Sequence, residues 1–265
     1  MRGIEIVHEA DVVPEAHHPA GSQRIVGAPG SARCRRVSPA GFPLWLVVAE
    51  LDAGTRLVWE GTHGDEAVYV RAGELELEEG RSTDGRRCPA SGAIVVEADA
   101  PAVVRATQPT TVVHVGPVDP TQPTDGLNGP PEPSERGVHV VGPRGIFEAV
   151  EPGRDTHYYA DSTCPTCRIT LLYTSRSVPY VSPTHSHSQD EIIHLLAGEI
   201  RMGSYVLRPG SSVAIAADRR YGFRSGPDGF AFINYRRDAS DQTIEPDKPP
   251  RREGGLVNGL RPVVA

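Results

Sequence analysis

Short runs of alternating apolar and polar residues, or of β-branched residues, recur along the whole chain. In a β-strand every second side chain lies on the same face, so a half-buried strand alternates apolar and polar residues. The wider spacing of apolar residues in an amphipathic helix is scarce here. The pattern therefore predicts an all-β protein. The predicted strands cover residues 44–51, 67–70, 94–97 and 111–115 in the first half and residues 168–173, 191–196, 212–216 and 230–235 in the second half.

A proline-rich segment separates these two groups of strands. Residues 117–137 contain many prolines and almost no large apolar side chain, which is typical of an extended linker. A chain of 265 residues with 38% hydrophobic content can build two ordinary cores. We therefore predict an N-terminal domain over residues 1–118, a linker over 119–137 and a C-terminal domain over 138–265.

The two halves also repeat one another. Residues 65–77, DEAVYVRAGELEL, align without a gap on residues 190–202, DEIIHLLAGEIRM, and each copy is followed by a glycine-containing turn and another β-rich run. A duplicated β-domain explains this repeat best. The segments before Gly41 and after Asp238 lack periodicity, so they either wrap the domains or pack between subunits.

Composition argues against several classes of function. The formal net charge of −7 leaves no broad basic surface for nucleic acid or for an anionic membrane. No apolar run approaches the roughly 20 residues that cross a bilayer. The N-terminal residues mix charges into their apolar positions, unlike a signal peptide. We therefore predict a cytoplasmic protein that binds neither nucleic acid nor membranes.

One cluster in the second half has the residue types of a metal site. His185 and His187 are two positions apart, which places both imidazoles on the same face of a strand. The polar residues 188–190 suit a turn, after which Glu191 begins the next strand. Two histidines and one carboxylate hold a divalent metal ion while leaving positions open for a substrate or for oxygen. We expect one such ion, with Fe(II) as the first choice and Mn, Zn or Ni as alternatives.

The same cluster resembles the cupin superfamily. His185, His187, Glu191 and Gly198 follow the spacing of that family's first motif, and the residues 207–215 resemble the start of its second motif. The resemblance covers most of the chain as two copies. It implies two cupin barrels in tandem, each a double-stranded β-helix or jelly roll, with a metal ion inside the second barrel.

The chain departs from the cupin pattern at one ligand position. Tyr221 stands where cupins usually have a further histidine. A phenolate ligates a metal only if the metal drives its deprotonation, because the ordinary pKa of tyrosine is about 10. The alternative is a three-ligand centre in which Tyr221 donates a hydrogen bond or acts as an acid. The expected metal ligands are thus His185, His187, Glu191 and, in the first case, Tyr221, and the expected catalytic residues are Tyr221 and Glu191.

The first half departs further from the cupin pattern. Its histidine positions are taken by Glu60 and Thr62. We predict a structural first barrel without metal, and a site built from Glu60, His63 and Glu66 is the alternative. In the second half, His194 is an odd number of positions from Glu191, so alternation predicts that it packs on the opposite face.

Four cysteines are too few for a disulfide framework in a chain of this length. Cys164 and Cys167 form a C-x-x-C motif, which is either half of a zinc site or a redox pair. The sequence has no second C-x-x-C motif and no βαβ pattern around this one. A loop that leads into a strand is therefore the simpler prediction.

The leading functional hypothesis is an oxidoreductase of the dioxygenase type, whose metal binds a small organic substrate and O₂. One alternative is a Lewis-acid isomerase or hydrolase. A resemblance to two-barrel cupins of the ureidoglycine aminohydrolase type favours the hydrolase, because these also have a degenerate first barrel and a non-histidine last ligand. Another alternative is a non-catalytic protein that binds a metabolite. Exposed strand edges and the duplicated barrel also predict a homodimer.

Overall fold

Strands make up most of the described part of the protein. The computed structural model describes residues 3–21, 24–82, 85–122, 137–151, 153–161, 164–177, 180–244 and 251–252. Within these ranges there are many strands and one short 3-10 helix, Glu9–Asp11, so the prediction of an all-β protein is confirmed. Most of the predicted linker, and most of the tail that follows Ile244, lie outside the described residues.

The first group of strands precedes the linker. These strands are β1 (Ile4–His8), β2 (Arg24–Val26), β3 (Ala32–Arg36), β4 (Leu44–Leu51), β5 (Arg56–Trp59), β6 (Glu66–Ala72), β7 (Glu74–Glu79), β8 (Arg87–Pro89), β9 (Ala93–Val96), β10 (Ala102–Ala106) and β11 (Thr110–Pro117).

The second group of strands follows the linker. These strands are β12 (Val138–Val141), β13 (Phe147–Glu151), β14 (Arg154–Ala160), β15 (Thr170–Arg176), β16 (His185–His187), β17 (Glu191–Met202), β18 (Tyr205–Leu207), β19 (Ser211–Ile215), β20 (Arg224–Arg236), β21 (Asp241–Ile244) and β22 (Arg251–Arg252).

Two antiparallel sheets form the N-terminal barrel. One sheet has six strands in the order β12-β9-β6-β11-β4-β3, and the other has five in the order β2-β5-β10-β7-β8. Apolar side chains from both sheets fill the space between them, among them Trp45, Leu57, Leu75 and Ile94, all at most 1% exposed. This is the packing of a jelly-roll barrel, in which inward-facing residues of two sheets share one core.

The C-terminal barrel is built in the same way. Its main sheet has eight strands, ordered β1-β19-β17-β20-β15-β14-β13 with β18 paired to β17, and a three-stranded sheet, β16-β21-β22, lies apart from it. A separate cluster of aliphatic and aromatic side chains fills this barrel, including Ile193, Leu195, Phe223 and Phe232. The predicted metal ligands of β16 are therefore on the smaller sheet.

A third apolar cluster holds the two barrels against each other. Trp45 and Val47 of β4 point into the N-terminal barrel, whereas Leu46 and Val48 of the same strand belong to this shared cluster. Strand β4 is buried on both faces, and its sequence is apolar at nearly every position for that reason. The C-terminal half contributes Tyr159, Ala160, Ile169, Leu171, Ile192, Ala214, Ile233 and Tyr235 to the same cluster.

Two strands pair with the barrel of the opposite half. Strand β1 pairs with β19 of the C-terminal barrel, with Ile4 opposite Ile215. Strand β12, which follows the linker, pairs with β9 of the N-terminal barrel, with Val138 opposite Val96. At these two strands the pairing does not follow the predicted domain limits, and the N-terminal segment wraps the C-terminal barrel.

The internal repeat has the same structure in both halves. In the first barrel Glu66 of β6 lies opposite Val96 of β9, and in the second barrel Glu191 of β17 lies opposite Ile215 of β19. Strands β6 and β17 also pair on their other side with β11 and β20. The two aligned glutamates thus occupy equivalent places at the start of equivalent strands. Among the described residues, no helix has the length and hydropathy needed to cross a bilayer.

Candidate functional site

Strand β16 presents His185 and His187 on one side, as their spacing predicts. Its backbone pairs with β21 on one edge, where His187 lies opposite Gln242. On the other edge His185 and Tyr221 exchange two backbone hydrogen bonds, of 2.8 and 2.9 Å. The centres of the two imidazole rings are 5.1 Å apart.

The structure brings the other two predicted residues to these rings. The Tyr221 ring lies 4.4 Å from the His185 ring and 6.2 Å from the His187 ring, measured between centroids. Nε2 of His187 lies 4.0 Å from Oε1 of Glu191. All four side chains are buried, and Glu191 has no exposed surface. The predicted site residues therefore form one cluster inside the C-terminal barrel.

Hydrogen bonds fix which nitrogen of each imidazole carries a lone pair. Nδ1 of His185 lies 2.8 Å from the carbonyl oxygen of Pro183, so Nδ1 carries the proton and Nε2 is left to accept. Nε2 of His187 lies 3.3 Å from Nη2 of Arg236, and a guanidinium only donates. Both Nε2 atoms therefore hold the lone pair that a metal ion needs.

Two residues of β20 hold Glu191 in place. Its Oε2 accepts hydrogen bonds from Nδ2 of Asn234 at 2.7 Å and from Nε and Nη2 of Arg236 at 3.1 and 3.0 Å. Arg236 is 4% exposed and is not among the site residues that the sequence predicts. Alternation along β20 could have located it, because Phe230, Phe232 and Asn234 point into the barrel and Arg236 is the next residue on the same face of the strand.

Glu191 is ionised in this setting. Complete burial by itself raises the pKa of its carboxyl group, but the proximity of His187, the charge of Arg236 and hydrogen bonds from Tyr221 and Asn234 outweigh burial and lower the pKa to about 2. Oε1 is buried and accepts no hydrogen bond from the described residues. A buried carboxylate oxygen without a partner is the kind of atom that a bound cation satisfies.

The donor set fits a divalent ion in its residue types, protonation and burial. It comprises two imidazole nitrogens and one anionic carboxylate, which suit Fe(II), Mn or Zn. The donor atoms of the two histidines and of Glu191 lie farther apart than ligands around a bound ion, and Arg236 contacts both His187 and Glu191. Binding of an ion would require His187 to exchange its contact with Arg236 for the metal.

In the first barrel, protein groups fill the equivalent place. Oε2 of Glu66 accepts hydrogen bonds from Nε1 of Trp59 at 2.8 Å and from Nε2 of His114 at 3.0 Å. Nδ1 of His114 in turn lies 3.0 Å from Nε2 of His18. Burial lowers the pKa of each of these histidines to about 3, so both are neutral. The carboxylate of Glu66 is thus satisfied by hydrogen bonds from side chains of the protein itself.

The structure does not bring Glu60, His63 and Glu66 together. Glu60 is exposed and pairs with Arg24 at the surface. The two ring nitrogens of His63 face the carbonyl oxygens of Gly64 and Ala100, at 2.8 and 3.0 Å. The prediction of this alternative site in the first barrel is therefore wrong, because Glu60 and His63 each make their contacts elsewhere.

A small cavity opens beside the cluster of the second barrel. Its volume is about 120 Å³, which is small compared with the ~300–1,000 Å³ of pockets for drug-sized ligands. Arg154, Arg176 and Arg236 line it together with Phe230 and Phe232. Among the described residues that line it, none is Asp or Glu. The cavity therefore suits a small anion.

The two barrels in tandem, with a His-x-His strand and a buried glutamate inside the second, define the two-barrel cupin fold. Solved structures with this fold match nearly the whole chain. A mutant of the Bacillus subtilis oxalate decarboxylase is 14% identical, with a TM-score of 0.62 over 91% of this chain and 79% of that chain. A putative glyoxylate-induced protein from Pseudomonas aeruginosa is 19% identical, with a TM-score of 0.64 over 89% of each chain.

These likenesses confirm the predicted fold of two cupin barrels. Identities of 14 and 19% show the fold alone, because one fold hosts many different reactions. No protein-family model and no curated protein sequence matches the chain.

Proposed function

We propose that the protein is a metal-dependent enzyme that acts on a small organic acid in the C-terminal barrel. The observation that carries the proposal is the buried, ionised Glu191, whose Oε1 lacks a partner among the described residues and faces Nε2 of His187. A cation held by His185, His187 and Glu191 would satisfy this oxygen and the two imidazole lone pairs together.

Three arginines support a carboxylate as the substrate. Guanidinium groups bind carboxylates through paired hydrogen bonds, and a cavity whose described lining includes arginines but no carboxylate attracts anions. Arg176 is held in place by its contact with the ring of Tyr180, 4.3 Å from its centroid. The names of the two structural neighbours, oxalate decarboxylase and glyoxylate-induced protein, point to substrates or inducers of the same chemical class.

Each residue of the site has a separate task in this proposal. A bound divalent ion would supply Lewis acidity toward a substrate oxygen and, if it is Fe(II), a position for O₂. Arg154 and Arg176 bind and orient the carboxylate. Arg236 and Asn234 hold Glu191 in its orientation through Oε2. Tyr221 lies against both imidazoles and is the candidate proton donor, and the phenylalanines exclude water.

A dioxygenase-type oxidation remains our leading reaction, and Lewis-acid isomerisation, hydrolysis or decarboxylation is the alternative. The test is to incubate the metal-loaded protein with a panel of small carboxylates that includes oxalate and glyoxylate. Oxygen consumption and carbon dioxide release are followed together. Uptake of O₂ that depends on substrate supports the oxidation, and turnover without O₂ uptake supports the alternative.

Variants at the ligands and at the cavity wall test the site itself. His185→Ala or His187→Ala is expected to remove one bound ion per chain and to abolish turnover, whereas His17→Ala, at a side chain 76% exposed, leaves both unchanged. Arg176→Ala is expected to raise KM for carboxylates about tenfold or more, consistent with a lost charge-assisted pair. Arg201→Ala, at a side chain 58% exposed, is its matched control. Turnover that survives loss of the ion would overturn the proposal.

The contact of Arg236 with both His187 and Glu191 favours one other function. In that case the guanidinium takes the place of the metal ion, and the barrel binds an anionic metabolite without catalysis. Elemental analysis that finds no ion retained by the C-terminal barrel, together with carboxylate binding that survives His185→Ala and His187→Ala, would support this second function.

We also propose that the protein is a cytoplasmic homodimer. In the described sheet orders, β13 ends the eight-stranded sheet, so it leaves one edge for pairing with a second copy. Light scattering is expected to give twice the chain mass of 28.4 kDa. A particle of the single-chain mass would refute the dimer, and cell fractionation tests the location.

A further inference from the structure

A second group of metal-ligating side chains lies at the junction of the two barrels. Glu97 directly follows β9, His139 lies in β12, and Cys164 and Cys167 lie in the loop between β14 and β15. One donor atom from each of these four residues lies within 4.8 Å of the other three. In the described part of the chain, no other group of three or more His, Cys, Asp or Glu residues is gathered this closely.

The contacts within this group are those of ligands that converge on one point. Nε2 of His139 lies 2.9 Å from Oε1 of Glu97, and Sγ of Cys164 lies 3.9 Å from the same oxygen. The backbone N–H of Cys167 donates to Sγ of Cys164 at 3.3 Å, so the C-x-x-C loop is folded with its first sulfur as an acceptor. The loop leads directly into β15, as the sequence predicts.

The residue types and the burial of the group suit a metal ion. Glu97 and Cys167 are 1% and 2% exposed, so a carboxylate and a thiolate at these positions are stabilised only by groups inside the protein. A metal ion bound here would stabilise both and would displace the protons of the thiols and of the imidazole.

We infer that Glu97, His139, Cys164 and Cys167 form a zinc site that ties the two barrels together. Thiolate and imidazole ligands select zinc over harder ions such as Mg²⁺ or Ca²⁺. Four protein ligands close the tetrahedral coordination sphere and leave no position for a substrate, which is the pattern of a structural site. The C-x-x-C motif thus supplies half of the ligands, and residues far away in sequence supply the rest.

The position of the ligands explains the structural role. Glu97 directly follows β9 and His139 lies in the neighbouring strand β12 of the N-terminal barrel, whereas both cysteines belong to the C-terminal barrel. Asp65 already bridges the same two segments, because its carboxylate accepts the backbone N–H groups of Ala98 at 2.7 Å and of Arg168 at 2.8 Å. The metal would add a second bridge beside this one.

The group is open to exchange with solvent. A cleft of about 380 Å³ between the barrels reaches His139, Cys164 and Cys167. The side chain of His139 is 37% exposed. Zinc can therefore enter without unfolding of either barrel, and a chelator can remove it.

The test uses a background in which the proposed site of the C-terminal barrel is disabled. The full chain carrying His185→Ala and His187→Ala is purified under reducing conditions, and its zinc content is measured. One zinc per chain is expected. Replacement of zinc by Co(II) is expected to give intense thiolate-to-cobalt charge-transfer absorption in the near ultraviolet, which a site with only nitrogen and oxygen ligands lacks.

Substitutions in this background assign the ligands. Cys164→Ala and Cys167→Ala are expected to lose the zinc and the charge-transfer absorption. Cys34→Ala, at a fully buried cysteine of the N-terminal barrel, is the matched control and keeps both. Glu97→Gln retains both thiolates and is expected to weaken zinc binding about tenfold or more, so it reports on the site even if a cysteine variant does not fold.

Three results would overturn the inference. The first is full zinc content in folded Cys164→Ala or Cys167→Ala. The second is reduced, folded protein that takes up neither zinc nor cobalt. The third is ready formation of a Cys164–Cys167 disulfide, seen as a mass loss of two hydrogens, in protein that is saturated with zinc, which would show that the thiols are not metal ligands.

Discussion

Buried neutral histidines are expected to make the protein sensitive to acid, and His194 offers the clearest test. It lies in β17 on the same face as Ile192, which packs in the cluster between the barrels, and it has no exposed surface. This confirms the prediction that His194 faces away from Glu191. Its Nδ1 contacts Oγ of Ser212 at 2.8 Å, and its Nε2 is buried without a hydrogen-bond partner among the described residues.

The magnitude follows from the difference between the two pKa values of this residue. Burial and the nearby charge of Arg71 lower the pKa of His194 in the folded protein to about 3, whereas it is about 6.5 in the unfolded chain. Between these values only the unfolded chain binds the proton, so stability is full above pH 6.5 and falls as the pH is lowered. From pH 7 to pH 5 the loss is about 2 kcal/mol from this one residue.

The assay is urea unfolding of the wild type and of His194→Leu at pH 7 and pH 5. The leucine has no proton to bind, so its free energy of unfolding is expected to fall by about 2 kcal/mol less between the two pH values. Leu195→Ala is the control, because it removes about 2–5 kcal/mol of packing at both pH values without removing a titrating group. Equal losses in the wild type and His194→Leu would refute the reasoning.

Two further predictions concern stability. Arg236→Met leaves the carboxylate of Glu191 buried without its cation and is expected to cost about 3–5 kcal/mol, and adding Glu191→Gln is expected to restore much of this loss. Because the pKa of Glu191 is lowered to about 2, the loss of stability in Arg236→Met is expected at neutral pH and is expected to fade as the pH falls below about 4 toward 2. Urea unfolding of the single and double variants measures the loss, its rescue and its pH dependence. Strictly additive losses of the two substitutions would contradict the expected rescue. Gly198→Ala is expected to cost roughly 3–5 kcal/mol, since φ is +69° and the added Cβ would lie 2.1 Å from the carbonyl oxygen of Gly229. Gly203→Ala, with φ +58° and open space around it, is expected to cost only about 1–2 kcal/mol, and equal thermal stability of the two glycine variants would count against the steric argument.

The sequence by itself determined the class of fold and the main elements of the site. All eight predicted runs overlap strands, because alternation and continuous apolarity record how each strand is buried. The repeat of residues 65–77 in 190–202 predicted the duplication, since equivalent positions in two barrels need the same pattern of burial. The sequence also predicted that His185, His187 and Glu191 belong to one site, because a short strand and a turn fix their relative positions locally.

Only the tertiary structure decided which distant segments meet. Arg236 neutralises Glu191 across 45 positions of sequence, and its charge alone gave no sign that it points inward. The exchange of β1 and β12 between the barrels depends on which sheet edge is free, which is a property of the assembled sheets. The cysteines acquired partners in the same way. Glu97 lies at the end of β9 and His139 lies in β12, and the pairing of these two strands, rather than any spacing along the chain, places both residues beside the C-x-x-C loop.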